Sequence, residues 1–223
     1  DEKEHLEFAR SAAAQCAVLL KNEGVLPITK GSRVALIGDL AANSHIQGGG
    51  SAKVTPQHVD DIVGCISQKF DLSGFERGYE RSGKRNEKLL KRAVKLAQSS
   101  RQTILFLGLT DREDAEGADR DSLMLPVCQL ELLQRLAAAG VRPVVVLCSG
   151  SAVDMAWDAL CSAVLYMPLT GAGTGTAAAE LLCGDKNPCG KLAETFPVRY
   201  EDVPCAKLFA SDPYICRYEE DIF

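Results

Sequence analysis

The hydrophobic and polar positions of this chain alternate between two periods, and that alternation predicts most of its elements. A wide apolar stripe at helical spacing runs from His5 to Asn22 through Leu6, Ala9, Ala13, Cys16, Ala17 and Leu20, and stops at Gly24. It predicts one helix over that span. Val25 to Ile28 is an extended arm holding Pro27, and Arg33 to Ile37 is a strand-length apolar run broken at Gly38. A small, polar loop follows, with three consecutive glycines, Gly48 to Gly50, which packing does not require and which permit a close backbone approach. His58 to Phe70 reads as a helix opened by Thr55-Pro56, Asp71 to Tyr79 as a more polar strand with its loop, and Asn86 to Ser99 as an amphipathic helix.

The second half repeats the alternation more strongly. Thr103 to Leu107 is a buried strand that breaks at Gly108 into a charged loop, Asp111 to Asp121. Val127 to Ala139 is helical, Val144 to Leu147 and Ala163 to Met167 are buried strands, and Thr174 to Cys183 is a helix introduced by the glycine-rich turn Gly171 to Gly175. Strands of about five residues alternating with helices predict an α/β fold, a mostly parallel sheet sandwiched between helices in the flavodoxin-like manner. The predicted organisation is an N-terminal helix and arm at 1–30, the α/β/α sandwich at 31–199 and an irregular tail at 200–223. In such sheets a ligand meets the carboxyl ends of the strands, which here are the loops after Gly38, Gly108 and Ser149.

Composition narrows the function. With Lys+Arg 25 against Asp+Glu 30 there is no basic stripe to neutralise a phosphate backbone, so nucleic acid is not an expected partner. No apolar run approaches the roughly 20 residues of a membrane span, and the acidic N-terminus does not resemble a signal peptide. The nine cysteines are odd in number, without a CxxC pair, and several lie inside apolar segments. They read as reduced thiols, and a cytoplasmic location is expected. The three histidines, His5, His45 and His58, are not at metal-ligand intervals, so neither a metal nor another cofactor is expected. Gly171-x-Gly173-x-Gly175 lacks the spacing of a dinucleotide fingerprint, and Cys148-Ser149-Gly150-Ser151 lacks the first glycine of a nucleophile elbow. What remains is the carboxylate-rich loop Asp111 to Asp121, which on composition alone would be a solvated surface.

Several ordered blocks change that balance. Ala14-x-x-Ala17-Val18-Leu19-Leu20-Lys21-Asn22 with Leu26-Pro27-Ile28, Val34 to Gly38 with Gly49-Gly50-Ser51, Glu116-Gly117-Ala118-Asp119-Arg120 with Leu125-Pro126 and Gln129, and Gly184-Asp185-x-Asn187-Pro188-x-Gly190-Lys191-Leu192-x-x-Thr195-Phe196-Pro197 together resemble the second domain of family 3 glycoside hydrolases. The resemblance is strongest to bacterial β-glucosidases and implies a retaining β-glycosidase. In that family an aspartate nucleophile sits on a (β/α)8 barrel and a glutamate acid/base on the α/β sandwich. Glu116 matches that glutamate, Gly50 and Ser51 fall in the loop that approaches the sugar, and Asp119 and Arg120 are expected to pin the loop as an ion pair. The substrate implied is an oligosaccharide or aryl β-glycoside.

This chain departs from its relatives in places. Nothing in it reads as eight βα units, so the family 3 barrel is expected as a partner in a larger protein and the isolated chain is expected to be inactive. Cys189 stands for the usual Ser, Ala193 for Pro, and Leu169-Thr170-Gly171 for PGQ. Ser211-Asp212-Pro213 resembles the nucleophile motif only superficially. The alternative is a non-catalytic sugar- or partner-binding domain that has lost its barrel.

Overall fold

The computed structural model describes all residues except 118, 209–210, 213 and 216–223. Its centre is a six-stranded sheet: β1 (Val18–Asn22), β2 (Arg33–Ile37), β3 (Asp71–Glu76), β4 (Gln102–Gly108), β5 (Val144–Cys148) and β6 (Ala163–Met167), in the order β1-β6-β5-β4-β2-β3. All neighbours are parallel except the β1–β6 pair. The strands β5 and β6 are buried at every position, and β4 at all but its first, because helices cover both faces. One face carries α1 (Glu2–Cys16), α2 (Asp39–Ala42), α3 (Ile62–Ser67) and α6 (Thr174–Cys183), and the other α4 (Glu87–Gln98) and α5 (Val127–Ala138). The expected α/β/α sandwich is the architecture observed.

Local chemistry explains the element limits. Asn86 caps α4 by accepting from the Leu89 amide at 3.2 Å, and the helix buries Leu90, Ala93 and Ala97 on one stripe. Gly184, in the left-handed region, ends α6. The last residue of β4, Gly108, has to be glycine because a Cβ there would stand 1.7 Å from the Cys148 carbonyl oxygen. Where the ladder stops, the buried Gln129 takes over, accepting from the Gly108 amide at 2.9 Å and donating to its carbonyl at 2.8 Å.

Three expectations are corrected. The stripe His5 to Asn22 is not one helix: α1 stops at Cys16, Ala17 turns to extended backbone, and Val18 to Asn22 pairs with β6. A run of apolar residues satisfies both periods, and the open edge of β6 selects the strand. Residues 58–61 do not join α3, which begins at Ile62. The Asp60 amide instead donates to the Ala172 carbonyl, and its carboxylate accepts from Arg10 and from the Thr176 amide at the start of α6. Finally, the loop after Gly38 contains a short helix, α2, and a 3-10 turn at Gly50–Ala52, neither of which its composition announced.

Of the tail, residues 200–202 form a 3-10 turn. Pro213 of the Ser211-Asp212-Pro213 stretch and the acidic end at 219–221 lie outside the described residues.

Candidate functional site

The chain leaves β2, crosses to β3 on one side, and returns to β4 on the other, so the order of the parallel strands reverses between β2 and β4. At that reversal the loops after β2 and β4 emerge side by side at the carboxyl edge of the sheet, the place where doubly wound sheets meet their ligands. The loop after β2 carries Gly48 to Ser51; the loop after β4 carries Glu116. The two lie against each other. Gly49 bridges Ala115 in parallel fashion, the Gly49 amide donates to the Asp114 carbonyl at 3.0 Å, and the Glu116 amide donates to the Gly49 carbonyl at 3.4 Å.

The triple glycine serves this contact. A Cβ at Gly49 would lie 2.6 Å from the Asp111 carbonyl oxygen and one at Gly48 2.9 Å from that of Asp114, while Gly50 adopts a φ of +89°. The close backbone approach expected of these glycines is thus made to the Glu116 loop. Ser51, delivered by the turn, donates from its hydroxyl and, at 3.3 Å, from its amide to Oε2 of Glu116. Oε1 has no donor among the described residues.

Glu116 is exposed, and the Ser51 hydroxyl, followed by the Ser51 amide, holds its carboxyl below the usual range. The direction is opposite to the raised pKa expected of a catalytic acid. Raising it requires burial or a second nearby carboxylate, and this exposed loop supplies neither.

Below Glu116 the loop is braced by residues that the sequence did not single out as functional. Buried His45 places Nε2 2.9 Å from Asp114 Oδ2, and Nδ1 3.2 Å from Asp111 Oδ1, close enough for an ion pair but out of line for a hydrogen bond. Asp114 also accepts from the Gly150 amide at 2.9 Å and the Ser151 hydroxyl at 3.3 Å. Arg81 donates to Asp111 at 2.9 Å and to the Asn43 carbonyl at 2.7 Å. Burial works to raise the Asp111 carboxyl, and Arg81 with His45 more than offsets it, leaving its pKa lowered. A lone histidine in a small polar loop and one aspartate among six acidic residues gave no signal in one dimension.

The expected Asp119–Arg120 ion pair is absent. Asp119 is exposed, and Arg120 reaches the loop after β5 to donate to the Ala152 carbonyl at 2.6 Å. Glu194 accepts from the amide of the same residue at 3.0 Å. Phe196 packs edge-on against Tyr166, with ring centroids 4.9 Å apart, and the Tyr166 hydroxyl donates to the Ser149 carbonyl at 3.0 Å. The blocks around Glu116 and Thr195-Phe196-Pro197, distant in sequence, converge on one loop because a guanidinium and a carboxylate satisfy the two sides of one residue's backbone.

Among the described residues no three His, Cys, Asp or Glu side chains are grouped to hold a metal ion, and no helix is long and apolar enough to cross a membrane. All eight described cysteines are free thiols, four of them buried, and burial pushes the thiols of Cys148 and Cys161 up to about 12.

Comparison with known proteins is consistent across its parts. The model of the glycosyl hydrolase family 3 C-terminal domain matches residues 17–223. The chain is 39% identical to thermostable beta-glucosidase B of Acetivibrio thermocellus across its whole length, covering 30% of that protein. It is 31% identical to an exo-alpha-(1->6)-L-arabinopyranosidase of Bifidobacterium breve, over 98% of this chain and 30% of the relative. The crystal structure of the Bifidobacterium adolescentis GH3 beta-glucosidase superposes with a TM-score of 0.87 at 32% identity, over 95% of this chain and 32% of that one. The chain thus spans about a third of the length of these relatives. With the sequence blocks, the sandwich architecture and these matches in agreement, this chain belongs to glycosyl hydrolase family 3, as its C-terminal domain.

Proposed function

We propose that this domain supplies the general acid/base of a retaining β-glycosidase, and that Glu116 is that group. The observation that carries the reading is the presentation of Glu116. It is an exposed carboxylate at the switch point of the sheet, fixed through Oε2 by Ser51, with no donor to Oε1 among the described residues. A retaining mechanism needs a second carboxylate roughly 5 to 5.5 Å away, and a (β/α)8 barrel is the proposed source of that nucleophile.

In the first step the nucleophile attacks the anomeric carbon and the protonated Glu116 gives its proton to the departing glycosidic oxygen. In the second, the Glu116 carboxylate takes a proton from water as the water displaces the enzyme carboxylate from that carbon. The arriving sugar and nucleophile would raise the Glu116 pKa against the hold of Ser51. Asp119 is exposed beside the site, and Arg120 shapes the adjoining loop through Ala152. The substrate proposed is a β-glycoside, with the choice of sugar proposed to lie with groups outside this domain.

The test is hydrolysis of aryl β-glucoside and β-xyloside by the chain alone, by the chain joined to a family 3 barrel, and by the joined form carrying Glu116→Gly. The expected result is activity only in the joined form, a fall of about 10²- to 10⁴-fold on Glu116→Gly, and recovery with azide to give a β-glycosyl azide. An unchanged rate in the variant would overturn the assignment.

A further inference from the structure

The Glu116 loop must hold its carboxylate to within a fraction of an ångström, yet it is an exposed loop whose own hydrogen bonds are few. What braces it is a row of groups running beneath it, from the exposed Asp111 and half-buried Arg81 to the buried His45 ring and Asp114 carboxylate. Arg81 meets Asp111, Asp111 faces one ring nitrogen of His45, Asp114 faces the other, and Asp114 accepts from the backbone and side chain of the loop after β5. The ring comes from the loop after β2, the loop that also delivers Ser51, and both carboxylates come from the loop after β4. Among the described residues, His45 is therefore the one side chain that reaches from the Ser51 loop to two points of the Glu116 loop.

We propose that His45 is the positioning residue of Glu116: the ring ties the loops after β2 and β4 into the register that sets Ser51 on Glu116. This rests on Glu116 being the acid/base, and it goes beyond that assignment by naming what aims the carboxylate. The imidazole suits the task because it is rigid and carries polar atoms at both ends, so it spans two carboxylates without long, mobile methylene arms. His45 is buried to 3% exposure, so its ring nitrogens are held away from water and the Asp114 contact is made out of solvent, while the Asp111 carboxylate at the other end stands partly in solvent. Asp114 is fixed independently by Gly150 and Ser151. Without the ring, the Ser51 loop keeps only its contacts at Gly49 and at Glu116 itself to the 114–116 segment.

Two readouts test this. In the domain alone, a ¹³C titration of the Glu116 carboxyl should show the lowered pKa in the parent and a return to the ordinary glutamate range in His45→Ala, because Ser51 no longer reaches Oε2. In the enzyme completed by its barrel, His45→Ala should lose about 10²-fold in kcat/KM on an alkyl β-glycoside, whose departing oxygen needs the acid, and far less on a dinitrophenyl β-glycoside, whose leaving group does not. His45→Gln, which keeps one donor for Asp114, should fall between them and stands in should the alanine variant fail to fold. Equal losses on both substrates, or an unmoved Glu116 titration, would overturn the proposal and leave His45 a core residue only. Glu116→Gln assayed alongside separates the two assignments: if it shows no dependence on leaving group, Glu116 is not the acid; if it does and His45→Ala does not, only the positioning role falls.

Discussion

Ser51 and Gln129 each act on one neighbour, and both make sharp tests. Because the Ser51 hydroxyl is the larger of the two influences lowering the Glu116 pKa, Ser51→Ala should raise it, with the amide still donating. The alkaline limb of kcat/KM in the barrel-completed enzyme should move to higher pH, since a weaker acid stays protonated longer; a limb that moves down or stays fixed refutes the Ser51 contact. Gln129→Leu should leave the Gly108 amide and carbonyl buried without partners, at a cost of roughly 2 to 4 kcal/mol in chemical denaturation. Glu116, Ser51, Gly50 and Gln129 were all visible in the sequence through family blocks. His45, Asp114 and Asp60 were not, because a buried polar residue is recognised by its partners, and those lie far away along the chain.

Elements depend on one another at two junctions. The first joins α1, the 58–61 segment and α6 through Asp60. Burial works to raise the Asp60 carboxyl, but hydrogen bonds from Arg10 and Thr176 outweigh it and lower the pKa to about 2. With the folded-state pKa below the unfolded one, the stabilisation is complete above about pH 4 and is lost as pH falls through about 2, for a total of about 2 kcal/mol. Thermal unfolding followed from pH 5 to pH 2 should show that loss, and Asp60→Asn should flatten this part of the curve while lowering its plateau. The second junction is the β4–β5 crossing, where a Cβ on Gly108 overlaps the Cys148 carbonyl. Gly108→Ala should displace the root of the Glu116 loop and cost about 4 kcal/mol, at the high end for a single substitution; retention of full stability would mean that the strand ends relax more easily than this packing allows.

Across the whole molecule the sheet is a rigid floor and the site a set of loops at one edge of it. The buried ladder from β2 through β4 and β5 to β6 should hold its amides longest in hydrogen exchange, while the 48–52 and 111–117 loops exchange early. A slow-exchanging Glu116 loop in the isolated domain would contradict that division. The proposed β-glycosidase activity belongs to this scale, because a double displacement needs two carboxylates on opposite sides of the substrate and this domain is proposed to bring one.

The sequence by itself determined the class of fold, the four strands at 33–37, 103–107, 144–147 and 163–167, the helices at 86–99, 127–139 and 174–183, and the glutamate proposed for the chemistry. Each of these is written in local periodicity or in a contiguous block. Only the tertiary structure decided that 18–22 is a strand, that Asp60 caps α6 in place of extending α3, that Arg120 holds Ala152, and that His45 joins the two site loops. The physical reason is common to all four. An apolar run or a polar side chain takes its state from the partner that satisfies it, and here every such partner is supplied by a part of the chain between 32 and 148 residues away.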